Sequence, residues 1–282
     1  MKLLRFGPKG AEKPGIVDAG GRVRDLSGKV EDIAPASLAA GVIDRIRSLN
    51  PESLQVVPEG VRIGPCIAST GNFIGIGLNY ADHAAETGAK PPAEPILFSK
   101  APSSLSGPND PVVIPRGSAK TDWEVELALV IGRRTSYVSE ADAPAFIAGY
   151  ALCNDVSERA FQVEGTGQWM KGKSAESFGP LGPWLVTPDE IPDVLALDMF
   201  LEVNGERQQT GNTRTMIFGP AFLVSYISRF MVLLPGDVIT TGTPPGVGMG
   251  KKPPRFLKPG DRMRLGIAGL GEQSQTVVAY PG

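Results

Sequence analysis

Two glutamates separated by one residue, Glu124 and Glu126, stand inside the otherwise apolar run Asp122-Trp-Glu-Val-Glu-Leu-Ala-Leu-Val-Ile-Gly132. The β-branched and apolar residues of that run, closed by a glycine, predict a strand. Side chains alternate along a strand, so Trp123, Val125, Leu127 and Leu129 share one face. Glu124 and Glu126 share the other, with Cβ atoms about 7 Å apart. Two carboxylates pointing the same way from a half-buried strand repel each other and lose hydration. A hard divalent cation, Mg²⁺ or Mn²⁺, relieves both costs, because oxygen donors suit it. The plainer alternative is a protruding strand end with both carboxylates in water.

Three further stretches could do chemistry. His83 is the single histidine of the chain, so any imidazole base working near neutral pH is this residue. The surrounding Asn79–Glu86 predicts a short helix, on which His83 and Glu86 share a face. A chance pairing of an exposed histidine with a carboxylate satisfies the same spacing. Asp155 follows a predicted strand over Phe146–Cys153 and stands three residues before Glu158, a capping-box arrangement for a helix over Val156–Gln162. It is either that helix's cap or a third carboxylate facing Glu124 and Glu126. Gly167-Gln-Trp-Met-Lys-Gly-Lys173-Ser174 spells the GxxxxGK[ST] phosphate loop. Its context excludes that role: no strand precedes it, and Gly179–Pro183 stops any helix within two turns. Lys173 itself stays a candidate.

Positioning these groups takes a strand-rich framework. Residues 1–68 predict a small N-terminal module: a strand over Met1–Phe6, a hairpin turning at Ala19-Gly20-Gly21, and a short helix over Val42–Leu49. Residues 69–282 then form the larger, catalytic module. Strands are expected at Phe73–Leu78, Ile96–Lys100, Val112–Pro115, Val238–Thr241 and Arg262–Ile267, and a hairpin at Asn204-Gly205. Ala221–Leu233 reads as a helix. The glycine-lined loop from Gly242 to Gly250 suits close backbone approach to a small ligand. The predicted His83 helix and the proline-rich loop after it form an expected mobile lid over residues 79–95.

Composition narrows the classes. A chain of 282 residues can bury a full core, and 35 glycines with 26 prolines favour a β-rich fold with many turns. Net charge is −2 with 21% charged residues, which gives no electrostatic draw toward nucleic acid or membrane. Cys66 and Cys153, without a CxxC pattern, read as reduced buried thiols of a cytoplasmic protein. The opening residues hold no apolar stretch long enough for a signal peptide, and the longest apolar run, Phe230–Leu234, is too short to span a bilayer.

As an ordered set, five motifs resemble the fumarylacetoacetate hydrolase family from about residue 70 onward. They are Gly77-Leu-Asn-Tyr-Ala-Asp-His83-Ala-Ala-Glu86, Asp122-Trp-Glu124-Val-Glu126, Asn154-Asp155-Val-Ser with Arg159 and Gln162, Gly172-Lys173-Ser174, and Gly242-Thr243-Pro244. The resemblance implies an α+β, β-rich fold, a roll of mixed sheets, usually dimeric. It implies Mg²⁺ or Mn²⁺ held by Glu124, Glu126 and Asp155, with His83 and Glu86 activating water. Lys173, Arg159 and Gln162 match positions that contact substrate or the metal-bound water, and Thr243 one that binds the substrate carboxylate. Larger members carry a fourth acidic ligand where Ile76 stands here, so the chain resembles the three-carboxylate branch that takes acylpyruvates. Arg5-Phe-Gly-Pro-Lys-Gly10 and the run Pro244–Pro254 are most similar to hydrolases that split 2,4-diketo-3-deoxy-L-rhamnonate or -fuconate into pyruvate and lactate. Near relatives are also labelled ureidoglycolate lyases.

Breaking a C–C bond beside a carbonyl needs a sink for the departing electron pair and a water made nucleophilic near pH 7. The implied site supplies both. The same metal site without water activation would serve a lyase, an oxaloacetate decarboxylase or a 2-oxo acid isomerase. A fold retained only for binding would not need the whole set.

Overall fold

The computed structural model describes residues 1–88 and 90–282. Numbered in chain order, one sheet contains β1 (Lys2–Phe6), β2 (Lys13–Val17), β3 (Val23–Asp25), β4 (Phe73–Gly77), β5 (Ile96–Lys100), β7 (Val125–Ile131), β8 (Ile147–Asn154), β9 (Leu185–Val186) and β12 (Val238–Thr240). Its nine strands lie in the order β3-β2-β1-β9-β8-β7-β12-β4-β5. The second holds β6 (Val112–Ile114), β10 (Asp198–Val203), β11 (Glu206–Asn212), β13 (Arg262–Ile267) and β14 (Gly271–Ala279), ordered β11-β10-β13-β14-β6. Each sheet is mixed: β12 runs parallel to β4, and β14 to β6. Short helices fill the connections, α1 (Pro35–Ala39), α2 (Val42–Arg47), α3 (Ala81–Thr87), α4 (Arg159–Val163), α5 (Met170–Lys173) and α6 (Pro220–Ile227). The class is α+β and β-rich.

Strand β7 lies at the centre and is buried on both faces, not half-buried as its pattern suggests. Val125, Leu127, Leu129 and Ile131 pack against Leu201, Val203, Met263 and Leu265 of the second sheet. Ala128 and Val130 turn the other way, into a cluster with Leu38, Val42 and Ile46 of α1 and α2. The boundary expected at residue 68 does not interrupt the sheet. Leu3 pairs with Leu185 across β1 and β9, and Leu3, Ile16 and Leu26 share a cluster with Phe73 and Val238. Cys66 and Cys153 are free and buried, and burial pushes the Cys66 thiol up to about 12.

Two helices depart from their sequence patterns, and the one expected over Val156–Gln162 begins only at Arg159, because Ser157 and Glu158 pair with Asp122 and Thr121. The helix expected over Ala221–Leu233 ends at Ile227. Ser228 at its C-cap donates to the Ser225 carbonyl, and Leu233 is drawn into an antiparallel bridge with Thr135, its N–H 3.0 Å from the Thr135 oxygen. The Asn204-Gly205 hairpin is present, with φ of 54° and 80° at its two turn residues. Among the described residues no helix is long and apolar enough to cross a membrane.

Because Leu201 is fully buried between the two sheets, Leu201→Ala should destabilise the fold by about 2–5 kcal/mol. Denaturant unfolding measures the loss, and Mn²⁺ affinity of the folded fraction should not change.

Candidate metal centre and active site

The pairing of β7 with β8 assembles the acidic cluster. Glu126 lies opposite Cys153 and Val125 opposite Asn154. The same register continues past the strand ends, where Asp122 faces Ser157. Glu124 therefore falls opposite Asp155, whose N–H donates to the Glu124 carbonyl at 2.9 Å. Directly opposed residues of an antiparallel pair share a face, as do residues two apart on one strand. Asp122, Glu124, Glu126 and Asp155 consequently point the same way. Carboxylate oxygens of Glu124, Glu126 and Asp155 all lie within 4.8 Å of one another, and all three residues are buried. This overturns both plainer readings: the glutamates are not solvated, and Asp155 is not a helix cap. Glu158 caps α4 instead, accepting the Ala160 N–H at 3.2 Å.

Cations close around the cluster. Arg159, at the start of α4, donates from Nε to Asp122 (2.8 Å), from Nη2 to Glu124 (2.7 Å) and from Nη1 to Gln162 Oε1 (2.9 Å). Lys173 Nζ bridges Glu124 and Asp155 at 2.6 and 2.7 Å. Lys100, fully buried at the end of β5, holds the other Asp155 oxygen and the Lys173 carbonyl. Helix α5 can deliver Lys173 because Gly172 lies flush on α4: a Cβ there would sit 2.4 Å from the Glu158 carbonyl oxygen. Four carboxylates thus face three cations, and the excess negative charge falls on Glu126, which accepts the Gly242 N–H at 2.8 Å. Burial, with Asp155 and Glu124 nearby, raises the Glu126 carboxyl well above the usual carboxylate range. Burial also works to raise Glu124, but Arg159 and Lys173 outweigh it and hold that carboxyl well below. Burial alone would lower Lys173, yet Asp155 and Glu124 raise it, so the ammonium stays charged. An all-oxygen donor set with one charge in excess fits a hard dication.

The remaining candidates gather on one cavity of about 250 Å³ lined by His83, Glu124, Glu126, Arg159, Gln162, Lys173 and Thr243. Asp155 stands behind this lining. His83 Nδ1 lies 3.2 Å from Glu86 Oε2, as their spacing on α3 predicts, and the Gly246 N–H grips the Glu86 carboxylate at 3.1 Å. Ile76 also lines the cavity. Thr243 lines it too, and its hydroxyl donates to the Val125 carbonyl and accepts from Gln209. Asn79 anchors the start of the expected lid, donating to the carbonyls of Phe218 and Thr241, while Ala89 within that lid lies outside the described residues. The phosphate-loop spelling is accidental: α5 spans one turn, and before it Gly165 lies in a turn and Gly167 in irregular backbone rather than in a strand.

Two buried site residues carried no role in the sequence reading. Lys100 ends an apolar strand, and Asp122 precedes Glu124 by two on the same face. Asp122 also accepts the N–H groups of Gly248 and Met249, at 2.7 and 3.0 Å, tying the glycine loop to the cluster.

The family described as fumarylacetoacetate (FAA) hydrolase C-terminal matches residues 72–278. A Burkholderia ambifaria protein described as a hydrolase is 60% identical over 277 residues, 98% of each chain. A solved Mycobacterium abscessus structure, described as a 2-hydroxyhepta-2,4-diene-1,7-dioate isomerase, is 33% identical with a TM-score of 0.85, covering 100% of both chains. Maleylpyruvate hydrolase from Sphingobium sp. SYK-6, crystallised with manganese(II) and pyruvate, is 29% identical with a TM-score of 0.83, again over 100% of both chains.

The charge excess separates two substitutions. Glu126→Gln should leave metal-free stability unchanged or higher while lowering Mn²⁺ affinity by about 10-fold or more. Asp155→Asn should lose affinity and also lower metal-free stability by about 3–5 kcal/mol, since buried Lys100 loses its carboxylate and Lys173 is left with Glu124. Thermal unfolding in chelator and across a Mn²⁺ titration reads both; full affinity in Asp155→Asn would remove it from the metal site.

Proposed function

Since the chain belongs to the fumarylacetoacetate hydrolase family, we propose that it hydrolyses a C–C bond of a 2,4-dioxo acid with Mg²⁺ or Mn²⁺, releasing pyruvate. The observation that carries this reading is that Glu124 and Glu126 of the carboxylate cluster and His83, paired with Glu86, line one cavity. The substrate within it is 2,4-diketo-3-deoxy-L-rhamnonate or -fuconate, which yields lactate as the second product. A cytoplasmic homodimer belongs to the same reading, and size-exclusion chromatography with light scattering tests the assembly.

Glu124, Glu126 and Asp155 would hold the cation. When bound, it would supply a Lewis acid to the substrate's carboxylate and 2-oxo oxygens, stabilising negative charge that develops at C3. The chain's own groups then act on water and substrate. With Nδ1 turned to Glu86, His83 Nε2 takes a proton from water as the oxygen attacks C4. Glu86, held by Gly246, fixes the tautomer and stabilises the imidazolium. The C3–C4 bond breaks, C4 leaves as a carboxylic acid, and the proton returns to C3 to give pyruvate. Lys173 places positive charge beside the developing negative charge, and Arg159 and Gln162 line the wall that orients the substrate. Thr243 lines the region that receives the substrate carboxylate.

A second reading drops the water attack and keeps the metal, giving an isomerase, an oxaloacetate decarboxylase or a ureidoglycolate lyase. The Mycobacterium abscessus neighbour described as an isomerase favours it. His83 separates the two. His83→Ala should lower kcat for 2,4-dioxo acid hydrolysis by about 10²–10⁴-fold while Mn²⁺ affinity holds and slow oxaloacetate decarboxylation survives. Equal loss of both activities would remove the main support for hydrolysis.

A further inference from the structure

Charged and apolar side chains share the cavity lining, the charged ones being Glu124, Glu126, Arg159 and Lys173. Lys173 Nζ lies 5.0 Å from the Phe98 ring centroid, and the apolar side chains of the lining are Ile76, Leu78, Phe98, Val163, Trp169, Val247 and Met249. The Phe98 and Trp169 rings meet at 5.5 Å and 56°, forming one aromatic wall. Strand β4 is shaped to seat it: a Cβ on Gly75 would lie 2.1 Å from Phe98 Cζ, and one on Gly77 2.5 Å from Trp169 Cζ3. Val163 and Met249 are 46% and 39% exposed, which places the outer part of the wall at the mouth. The cationic side chains of the lining, Arg159 and Lys173, are both engaged by the acidic cluster. Gln162 keeps Oε1 on Arg159 and can donate from its neutral Nε2.

We infer that this outer half is a neutral tail subsite that accepts a short, uncharged, methyl-ended C4 substituent and rejects one ending in a second carboxylate, with Trp169 setting the choice. The inference rests on the hydrolytic reading above and narrows its substrate class. A carboxylate against the indole and Met249 would lose hydration without gaining a cation, whereas a methyl end buries apolar surface there. A lactoyl tail meets both demands, its hydroxyl suited to the Gln162 amide and its methyl to the aromatic wall.

A matched pair of substrates tests this: 2,4-dioxoheptanoate and 2,4-dioxoheptanedioate have the same chain and differ in the terminal carboxylate. With Mn²⁺, the protein should favour the first by on the order of 100-fold or more in kcat/KM. Trp169→Arg should shift that ratio toward the dioate by about tenfold or more, leaving Mn²⁺ affinity unchanged. Val163→Arg, at the exposed mouth, should shift it the same way and serves if the tryptophan variant does not fold. A wild-type ratio within about threefold of unity, or ratios unmoved by both arginines, overturns the neutral subsite and leaves hydrolysis standing. Turnover of neither acid overturns the hydrolytic reading, and the subsite with it.

Discussion

Buried negative charge, concentrated on one antiparallel register, is the constraint on which the rest of this structure depends. Once Glu126 faces Cys153, Asp155 must face Glu124, and four carboxylates share one water-poor surface. Such a surface is unstable unless cations reach it. The neighbouring elements bring those cations: β5 finishes in Lys100, α4 starts with Arg159 and α5 closes with Lys173. Each delivers its positive group from a different direction. The arrangement costs stability that a purely apolar core would keep, and that cost is concentrated where the chemistry is expected.

Much of this was legible beforehand, and the failures have identifiable causes. The paired glutamates read correctly because two charges on one face conflict with an apolar strand wherever that strand lies. Their burial was understated, since alternation cannot show that a second sheet covers the apolar side while α1 and α2 cover the other. Lys100 was invisible as a site residue because a lysine ending a strand is ordinarily solvated; only the fold turns it inward. The capping pattern at Asp155 was genuine in form but shifted, with Glu158 taking the cap. Strand β14 had no readable period, because its buried side chains include Gln273 and Gln275 rather than aliphatic residues. Their amides satisfy backbone carbonyls of Leu152, Gly182 and Pro108. In α6 the apolar period continued past the true end, and a long-range bridge to Thr135 overrode it.

Rigid and adjustable parts are divided unequally around the cavity. The acidic face is locked by ladder hydrogen bonds and by charge-assisted contacts from three directions. His83 instead stands on a short helix whose other side faces solvent, so its position depends on the loops that hold Glu86 and Asn79. Metal binding and water activation therefore draw on parts of the fold with different local stability. The aromatic wall belongs to the locked part, because its two rings fill space left by strand glycines.

The glycine loop holds both parts through its backbone. Gly242 N–H binds Glu126, and four residues later Gly246 N–H binds Glu86. On the loop's side these contacts use backbone amides alone, so contour length between the two amides sets the separation of the two carboxylates. The segment behaves as a ruler. Replacing Thr243 between them loses its bonds to Val125 and Gln209 but keeps the ruler's length, whereas inserting or deleting a residue changes its reading and displaces the histidine relative to the acidic face. Variation in length is therefore poorly tolerated here, the reverse of what surface loops ordinarily permit.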